Sequence, residues 1–501
     1  MLFNSISFLV FFPIVVLVYY LVPPKYRYIW LLVSSYYFYM SWNAKYVLLL
    51  LFSTVATYLT AIAMDTCVKN KRFDEKKKTR CKKILTAVCV AVNLFILFCF
   101  KYTGFMIGNV NRVLSMLHVE MLDTLDVVLP VGISFYTFQA LGYIVDVYHE
   151  DVKVEKNFLR YALFISFFPQ LVAGPIERSG NLLSQMRKEH RFSFENMREG
   201  LVLMVWGFFL KLVIADRIAI FVDAVYSDLI TYTGYYVIVA TVLFAFQIYC
   251  DFAGYSTIAM GAAKVMGFEL MDNFNAPYFS RSVAEFWRRW HVSLNSWFRD
   301  YLYIPLGGGR KGVVRKYVNI MIVFLLSGLW HGAAMHFVIW GGINGLSQVI
   351  GEILMPLRNR MQKVLHLNRK SFSHKLMQTV CTFCLVDFAW IFFRASSLHD
   401  AVIAVTSIFH ANNPWILFDG SLYLVGGGEL TSKGYQFMWI SIAVLLAADV
   451  FKYKGIKIRE AVAKQELWFR WGLYIVAVLS VLVFGIYGYG YDEQNFIYFQ
   501  F

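Results

Sequence analysis

The side chain best suited to chemistry is His331, in the apolar run FLLSGLWHGAA at 324–334. An ionisable group in such surroundings is costly and often marks a functional site. In a helix its neighbours three and four positions away include Ser327, Gly328 and Ala334, whose small side chains leave space beside the imidazole. If another helix fills that space, His331 is structural. If a substrate fills it, the neutral imidazole can act as a general base, and the glycines on both sides favour this function.

A second histidine, His291, lies in an amphipathic stretch at 279–304. Apolar residues, many of them aromatic, recur there every three or four positions, while the arginines fall on other sides. This pattern predicts a helix lying at an interface between apolar and polar surroundings. His291 is expected on the border of the two faces, beside Trp287 and Phe298. Taken alone, that position favours an anchoring role over a catalytic one.

A glycine-rich turn with adjacent cations, GGGRK at 307–311, follows directly. The backbone N–H groups and the positive charge of such a turn can bind a phosphate-bearing ligand. No Walker or dinucleotide-binding pattern surrounds it, however, and glycine-rich turns are common. The turn by itself therefore does not separate a phosphate site from an ordinary loop.

Three aspartates, Asp146, Asp251 and Asp387, also lie in apolar surroundings, where each needs a partner or water. No spacing ties any of them to a histidine, so we interpret them as polar contacts between helices. No HExxH pattern or comparable cluster occurs, and a metal site is not predicted. The seven cysteines lie mostly within or beside apolar runs and predict packing rather than a disulfide framework.

The elements that must position these residues are membrane helices. Of the 501 residues, 59% are hydrophobic and 16% charged, and apolar stretches of nearly the length of a spanning helix recur along the chain. The net charge of +15 comes from three basic stretches, at 69–83, 281–316 and 358–375. Such stretches are typical of cytoplasmic loops, so the charge indicates orientation rather than binding to nucleic acid. We predict one membrane domain over 1–501, with the N-terminus outside and Lys25 and Arg27 on the inner side.

Ten to twelve transmembrane crossings are predicted. The first run, 6–22, has no preceding positive charge and is followed by two prolines, so we interpret it as a retained helix. The run at 161–173 is short and is expected to be re-entrant or buried by neighbouring helices. The remaining candidate spans are 28–42, 46–64, 84–100, 128–147, 200–225, 236–251, 317–353, 379–393, 437–451 and 468–487.

The segment at 317–353 is too long for one straight crossing of a hydrocarbon core of roughly 30 Å. Because basic stretches flank both of its ends, it predicts a broken or hairpin pair of helices whose turn lies at membrane depth. Glycines supply the close approaches that such a break needs. They are Gly328, Gly332, Gly341, Gly342 and Gly345.

Several motifs resemble those of the membrane-bound O-acyltransferase (MBOAT) family, most closely the alginate O-acetyltransferase type. They are MLFNS at 1–5, LPVGISFYTFQ at 129–139, FPQLVAGPI at 168–176, FWRRWH at 286–291, GLWHG at 328–332 and FIYFQF at 496–501. The resemblance covers nearly the whole chain, with a signature core at about 273–350. It implies an all-α polytopic membrane protein with the MBOAT fold, in which transmembrane, re-entrant and interfacial helices surround a central funnel.

The resemblance also implies roles for the residues singled out above. His331 matches the catalytic histidine of the family, and His291 matches its second histidine. The implied donor is acetyl-CoA, a substrate and not a permanently bound cofactor. Its nucleotide phosphates would meet cations such as Arg289, Arg310 or Lys311.

The implied product is an acetylated exopolysaccharide or cell-wall glycan outside the bacterial cytoplasmic membrane. In the family the immediate acceptor is often a partner protein with an extracytoplasmic SGNH-hydrolase-like domain, which relays the acetyl group. The alternatives are D-alanyl transfer toward teichoic acid, as in shorter relatives, and transport of a lipid-linked sugar or related solute along a pathway lined by His331 and the aspartates. The expected contacts are thus a partner protein, a glycan and membrane lipid, and no nucleic acid.

Overall fold

The computed structural model describes residues 1–123, 129–172, 174–428, 430–488 and 496–497. In these ranges the regular structure is helical and contains no strand, as the all-α prediction requires. Seven of the helices described there are long and apolar enough to cross a membrane, and an eighth candidate is a helix pair bent by 49°. Shorter apolar helices are also present. The total number of crossings therefore stays a prediction.

Each predicted span coincides with at least one helix, but several helices extend well beyond the predicted ends, and the span at 200–225 is divided into two helices joined by a π-helical segment. The α-helices are numbered in chain order. They are α1 (Ile6–Leu21), α2 (Arg27–Met40), α3 (Val47–Lys69), α4 (Glu75–Lys101), α5 (Thr103–Met116), α6 (Ile133–His149), α7 (Phe158–Ser166), α8 (Phe168–Leu171), α9 (Ser179–Met186), α10 (Phe194–Phe208), α11 (Asp216–Ser227), α12 (Tyr235–Val265), α13 (Val283–Arg289), α14 (Val292–Phe298), α15 (Val313–His331), α16 (Met335–Ile353), α17 (Met355–Val364), α18 (Phe372–Arg394), α19 (Leu398–Phe409), α20 (Ser432–Tyr453), α21 (Ile458–Ala463) and α22 (Leu467–Phe484). Short 3-10 helices cover Pro24–Tyr26, Ala44–Tyr46, Pro277–Phe279, Pro414–Leu417 and Ser421–Gly428, and π-helical segments cover Phe209–Ala215 and Arg299–Tyr303.

The chain forms two compact units. The N-terminal unit contains residues 1–204 together with 258–271, and the C-terminal unit contains residues 205–257 together with 272–501. Both histidines singled out above belong to the C-terminal unit. The single domain over 1–501 stays a prediction.

In the N-terminal unit, the predicted span at 161–173 forms α7 and α8 with a break at Phe167. Pro169 follows within the first turn of α8, where a missing N–H costs nothing. Residues 161–172 are all buried, which confirms the expectation that neighbouring helices cover this short segment. Ala173, like Val128 of the preceding predicted span, lies outside the described residues.

The basic stretch at 69–83 is mostly helical. The Asp74 side chain caps α4 by accepting a hydrogen bond of 2.8 Å from the N–H of Lys77, so the following cations lie in the first turns of that helix. A disulfide joins Cys67 on α3 to Cys81 on α4, a pairing that the cysteine positions did not predict. The short turn between the two helices brings these cysteines together.

In the C-terminal unit, the segment at 317–353 forms the broken helix pair that its length predicted. α15 ends at His331 and α16 begins at Met335, so the break occupies residues 332–334. The two helices run back along each other as a hairpin. His331 is thus the last helical residue before the break.

Glycines allow the two helices of the hairpin to touch. A Cβ atom on Gly328 would lie 2.2 Å from the carbonyl oxygen of Phe337, and one on Gly341 would lie 2.2 Å from that of Phe324. Real Cβ atoms do not approach an oxygen this closely, so any side chain at either position would push the helices apart. The predicted role of these two glycines is confirmed.

We predict that Gly328→Ala destabilises the hairpin and that Gly342→Ala does not. The methyl group at 328 must displace the backbone of α16, and overpacking of this kind costs about 1–3 kcal/mol. At Gly342 the nearest atom to an added Cβ is a Leu325 methyl carbon at 3.6 Å, an ordinary contact. Unfolding temperatures of both variants in detergent, followed by tryptophan fluorescence, test the difference. Equal temperatures for the two variants would contradict the close approach at Gly328.

Candidate active site

His331 lies against aromatic rings at the end of α15. Its ring centroid is 4.9 Å from that of Trp330, 5.1 Å from Trp340 and 5.5 Å from Phe393, each with an edge-to-face geometry. The residue is 4% exposed, whereas Met335 at the start of α16 is 41% exposed. The imidazole is therefore buried, although the side chain four residues further along the chain is exposed.

His291 lies between α13 and α14 with a left-handed backbone, φ 44° and ψ 53°. The backbone of residues 273–275 forms hydrogen bonds with the residues on either side of His291. The N–H of Asn275 donates to the carbonyl of Arg289 at 2.9 Å, and the N–H of Val292 donates to the carbonyl of Asn273 at 3.0 Å. Histidine is among the few residues enriched in this conformation, and the two hydrogen bonds fix it.

The predicted continuous helix over 279–304 is therefore two helices followed by a π-helical segment. Trp290 is extended and His291 is left-handed, and neither conformation continues an α-helix. The aromatic face of the stretch packs against protein, since Phe286 and Trp290 are each 1% exposed. Apolar periodicity identified the apolar face, but it predicted one helix at an interface and revealed neither the burial of that face against protein nor the break of two residues.

The two histidines, which come from motifs 40 positions apart, lie side by side. Their ring centroids are 6.4 Å apart at an angle of 60°. His291 is 1% exposed, with its ring 4.6 Å from that of Phe252 and its Nδ1 3.5 Å from the Ser293 hydroxyl. The structure thus brings together both predicted catalytic residues in one buried aromatic cluster.

Further aromatic rings pack around the cluster. Trp340 and Trp390 stack with centroids 5.6 Å apart, and Trp390 lies 5.3 Å from Phe393. Such pairs contribute about 0.5–1.5 kcal/mol each beyond the burial of their area. The rings therefore hold the imidazole of His331 in a rigid, water-poor environment.

Burial lowers the pKa of the His291 imidazole to about 3. The ring is consequently neutral near pH 7 and places no positive charge beside His331. Because like charges in contact oppose each other, a neutral neighbour leaves His331 able to take up a proton.

The candidate phosphate-binding cations differ in their surroundings. Arg289 is committed to other groups: it lies 3.0 Å from Glu285, donates to the carbonyl of Asn275 at 3.1 Å and stacks 4.9 Å from the Tyr453 ring centroid. Arg310 and Lys311, in contrast, are exposed and form no salt bridge with the residues that the structure describes. These two are the cations best placed to meet a ligand.

The glycine-rich turn at 307–311 uses much of its own backbone. The N–H groups of Gly307, Gly308 and Arg310 donate to carbonyls within or just before the turn, at 2.9–3.1 Å. The side chain of Asn319 on α15 donates to the carbonyl of Gly308 at 2.9 Å. Phosphate binding at this turn would therefore depend on its side-chain cations rather than on a cradle of free N–H groups.

Two of the three aspartates, Asp251 and Asp146, contact other elements, as predicted, whereas a contact between helices at Asp387 stays a prediction. Asp251 lies 2.7 Å from Lys211 of the π-helical segment, which lies equally close to Asp216. The second oxygen of Asp251 accepts a 2.8 Å hydrogen bond from the N–H of Ile497. In the N-terminal unit, Asp146 accepts a hydrogen bond from the Ser179 hydroxyl.

Residues 34–386 match the family model described as MBOAT, membrane-bound O-acyltransferase family, and this range contains both histidines. The chain belongs to the membrane-bound O-acyltransferase family. It is a multi-pass membrane acyltransferase and uses an acyl-donor substrate, as the motifs predicted.

Curated relatives carry names from the same enzyme class. The chain is 37% identical over 402 residues to the probable alginate O-acetylase AlgI of Pseudomonas syringae pv. tomato, covering 80% of this chain and 74% of that protein. It is 32% identical over 436 residues to the peptidoglycan O-acetyltransferase of Helicobacter pylori, covering 80% and 78%. It is 27% identical over 287 residues to the teichoic acid D-alanyltransferase of Bacillus subtilis, covering 54% and 69%.

Several residues of the site could not be assigned a role from the sequence. Trp340, Trp390 and Phe393 come from two helices that the sequence does not place together, so only the fold reveals the aromatic wall. Asn273 begins the signature core, but nothing in its type or spacing indicates that it holds the backbone turn at His291.

We predict that the pH dependence of stability contains a contribution from His291. A histidine in the unfolded chain takes up a proton near pH 6.5, whereas the buried ring of His291 does so only near pH 3. Lowering the pH from 7 to 5 therefore favours unfolding. The unfolding temperature of His291→Gln should fall less over that interval than that of the unchanged protein. Parallel curves would contradict this contribution, and His149→Gln, which alters an exposed histidine, serves as the control.

Proposed function

We propose that this chain transfers an acetyl group from cytoplasmic acetyl-CoA to a hydroxyl group on the outer side of the bacterial cytoplasmic membrane. The observation that carries the proposal is the contact distance between His291 and His331 at the end of the glycine-packed hairpin. The O-acetyl-transferring relatives at 37% and 32% identity support acetyl as the acyl group.

His331 acts as the general base in this proposal. Its ring takes the proton of the acceptor hydroxyl, the oxygen attacks the thioester carbonyl, and the carbon–sulfur bond breaks. The coenzyme A thiolate leaves and receives a proton, so the products are an ester and a thiol. His331 lies at the C-terminal end of α15, where the helix dipole stabilises the positive charge that the ring gains.

In this proposal His291 stays neutral and orients His331 and the acceptor. Burial keeps its ring neutral, and its backbone is held by Asn273. A neutral imidazole offers both a donor and an acceptor nitrogen, which suits hydrogen bonding to an incoming hydroxyl or to the developing oxyanion.

The length of α15 suits a coenzyme A donor. Arg310 and Lys311 precede the helix and His331 ends it, so its 19 residues separate them by roughly 28 Å. A compact phosphate ester cannot bridge that distance, whereas the long pantetheine arm of coenzyme A carries its thioester far from its nucleotide phosphates. With the basic turn at the cytoplasmic face, the hairpin would carry His331 into the membrane, where the acceptor reaches it from the outer side.

The acceptor is a glycan hydroxyl, reached directly or through a relay protein with an extracytoplasmic SGNH-hydrolase-like domain. The names of the relatives support a polysaccharide or peptidoglycan acceptor. The orientation follows from the basic stretches at 69–83, 281–316 and 358–375, which the positive-inside rule places in the cytoplasm, with the N-terminus outside. D-alanyl transfer is the weaker alternative because the D-alanyltransferase relative matches only 54% of this chain.

We predict that His331→Ala lowers acetyl transfer by about 10²–10⁴-fold or more, because the general base is lost. The assay uses purified protein in a lipid bilayer, labelled acetyl-CoA, candidate glycans and any neighbouring partner protein. His399→Ala, which alters an exposed histidine, should keep normal transfer. Normal transfer by His331→Ala would refute the catalytic role. A transporter would neither cleave the thioester nor yield an acetylated product.

We also predict that the double variant Arg310→Ala/Lys311→Ala raises the KM for acetyl-CoA about tenfold, or roughly 1.4 kcal/mol, with little change in kcat. The cations contact the phosphates equally in the ground state and the transition state, so their loss weakens only binding. Arg360→Ala/Lys363→Ala removes two equally exposed charges and is the matched control. A fall in kcat at unchanged KM would contradict a phosphate-binding role.

A further inference from the structure

A cavity of about 200 Å³ in the N-terminal unit is lined by an unusual number of basic side chains. They come from three separate parts of the chain, namely the turn that leads into α2, the first turn of α7 and the residues after α9. Nothing in the acyl-transfer mechanism uses this cavity. Its cations are Lys25, Arg27, Arg160, Arg187 and Lys188.

Nearby acids do not neutralise these charges. Glu155 lies 2.8 Å from Arg187 and 3.5 Å from Arg160, so a single carboxylate serves two guanidinium groups. Lys25 and Lys188 form no salt bridge with any residue that the structure describes. Among the described residues that line the cavity, Glu189 is the one acid beside five cations. The cavity therefore keeps a surplus of positive charge that attracts an anion.

Arg27 is fixed in place before any ligand arrives. Its Nε donates to the carbonyl of Val22 at 3.0 Å, its Nη2 donates to that of Tyr20 at 3.2 Å, and its Nη1 donates to that of His190. The guanidinium also lies 5.2 Å from the Tyr19 ring centroid and 5.4 Å from that of Tyr20. These partners are all uncharged, so Arg27 keeps its full positive charge while its side-chain conformation is already fixed. The positive-inside rule depends only on the number of cations in a loop and does not explain why this guanidinium is fixed.

An exposed apolar side chain lies beside the cavity. The ring of Phe192 is 57% exposed and its centroid lies 5.2 Å from that of Tyr20, the same ring over which the Arg27 guanidinium lies at 5.4 Å. A charged cavity next to an exposed apolar side chain matches a molecule that carries a phosphate and hydrocarbon chains together.

We infer that this cavity binds a phosphate group, and that the group belongs to the headgroup of an anionic phospholipid. The phosphate would meet Arg27 and the lysines, and the acyl chains would extend past Phe192. Lys25 and Arg27 are predicted on the cytoplasmic side, where anionic headgroups create a negative surface.

The test measures binding of short-chain phosphatidylglycerol to the full-length protein in a neutral detergent. We expect the double variant Lys25→Glu/Lys188→Glu to weaken this binding about tenfold or more, since each basic residue near anionic lipid contributes about a factor of five. The matched control is Lys76→Glu/Lys77→Glu, which makes the same charge change at exposed positions of the same unit, away from the cavity. It should change binding less than about twofold.

Three results of this binding measurement would overturn the inference. Equal losses in the two double variants would mean that net charge, not the cavity, attracts the lipid. Phosphatidylcholine bound as tightly as phosphatidylglycerol would mean that no anion is recognised. Binding of adenosine 3′,5′-bisphosphate that is lost in Lys25→Glu/Lys188→Glu, without binding of phosphatidylglycerol, would assign the cavity to a soluble phosphate ester.

A second measurement needs no variant and so does not depend on the folding of one. Phosphatidylglycerol should raise the unfolding temperature of the unchanged protein, because a ligand of the folded state stabilises it. Phosphatidylcholine at the same concentration should not. Equal effects of the two lipids would overturn the inference. Acetyl transfer enters neither measurement, so failure here would leave the proposed function standing.

Discussion

The candidate active site depends on one constraint: backbone inside a membrane must satisfy its hydrogen bonds within the protein. The hairpin of α15 and α16 interrupts its helix at 332–334, and such a break survives only where other protein groups surround it. Close backbone contacts at Gly328 and Gly341 provide that environment by pressing the two helices together. The break places His331 at the end of α15, where its ring lies beside that of His291.

The protein deals with polar groups in its interior in two ways. The buried ammonium group of Lys211 is paired with two carboxylates, each at 2.7 Å, so its positive charge is compensated within the protein. At the candidate active site charge is avoided instead, because burial keeps the ring of His291 neutral and aromatic residues enclose His331. The ion network suits a permanent structural role. The neutral imidazoles suit the proposed catalysis, because a neutral base can take up a proton and release it again.

The sequence predicted the parts of the fold that depend on local composition. Apolar runs located the helices, and the excess length of 317–353 predicted the break beside His331. The motifs predicted the family, which the family match confirms. What periodicity reports is which face of a segment is buried, not what lies against it. The contact between the two histidines and the wall formed by Trp340 and Trp390 depend on neighbours distant in the chain, and local pattern did not reveal them.

The break at His291 escaped prediction for a different reason. Its flanking residues keep a helical repeat of apolar positions on both sides, so two short helices look like one. The extended Trp290 and the left-handed His291 separate them, and although histidine is enriched in the left-handed conformation, most histidines do not adopt it, so the residue type does not signal the break.

The left-handed backbone at His291 also limits how this position can change during evolution. Glycine and asparagine adopt the same conformation at little cost, but neither supplies an imidazole. Alanine or leucine would satisfy neither requirement. A descendant that abandons acyl transfer while remaining folded is therefore expected to carry asparagine or glycine here. The identity of this one residue would then distinguish relatives that have lost the reaction from those that have merely diverged in sequence.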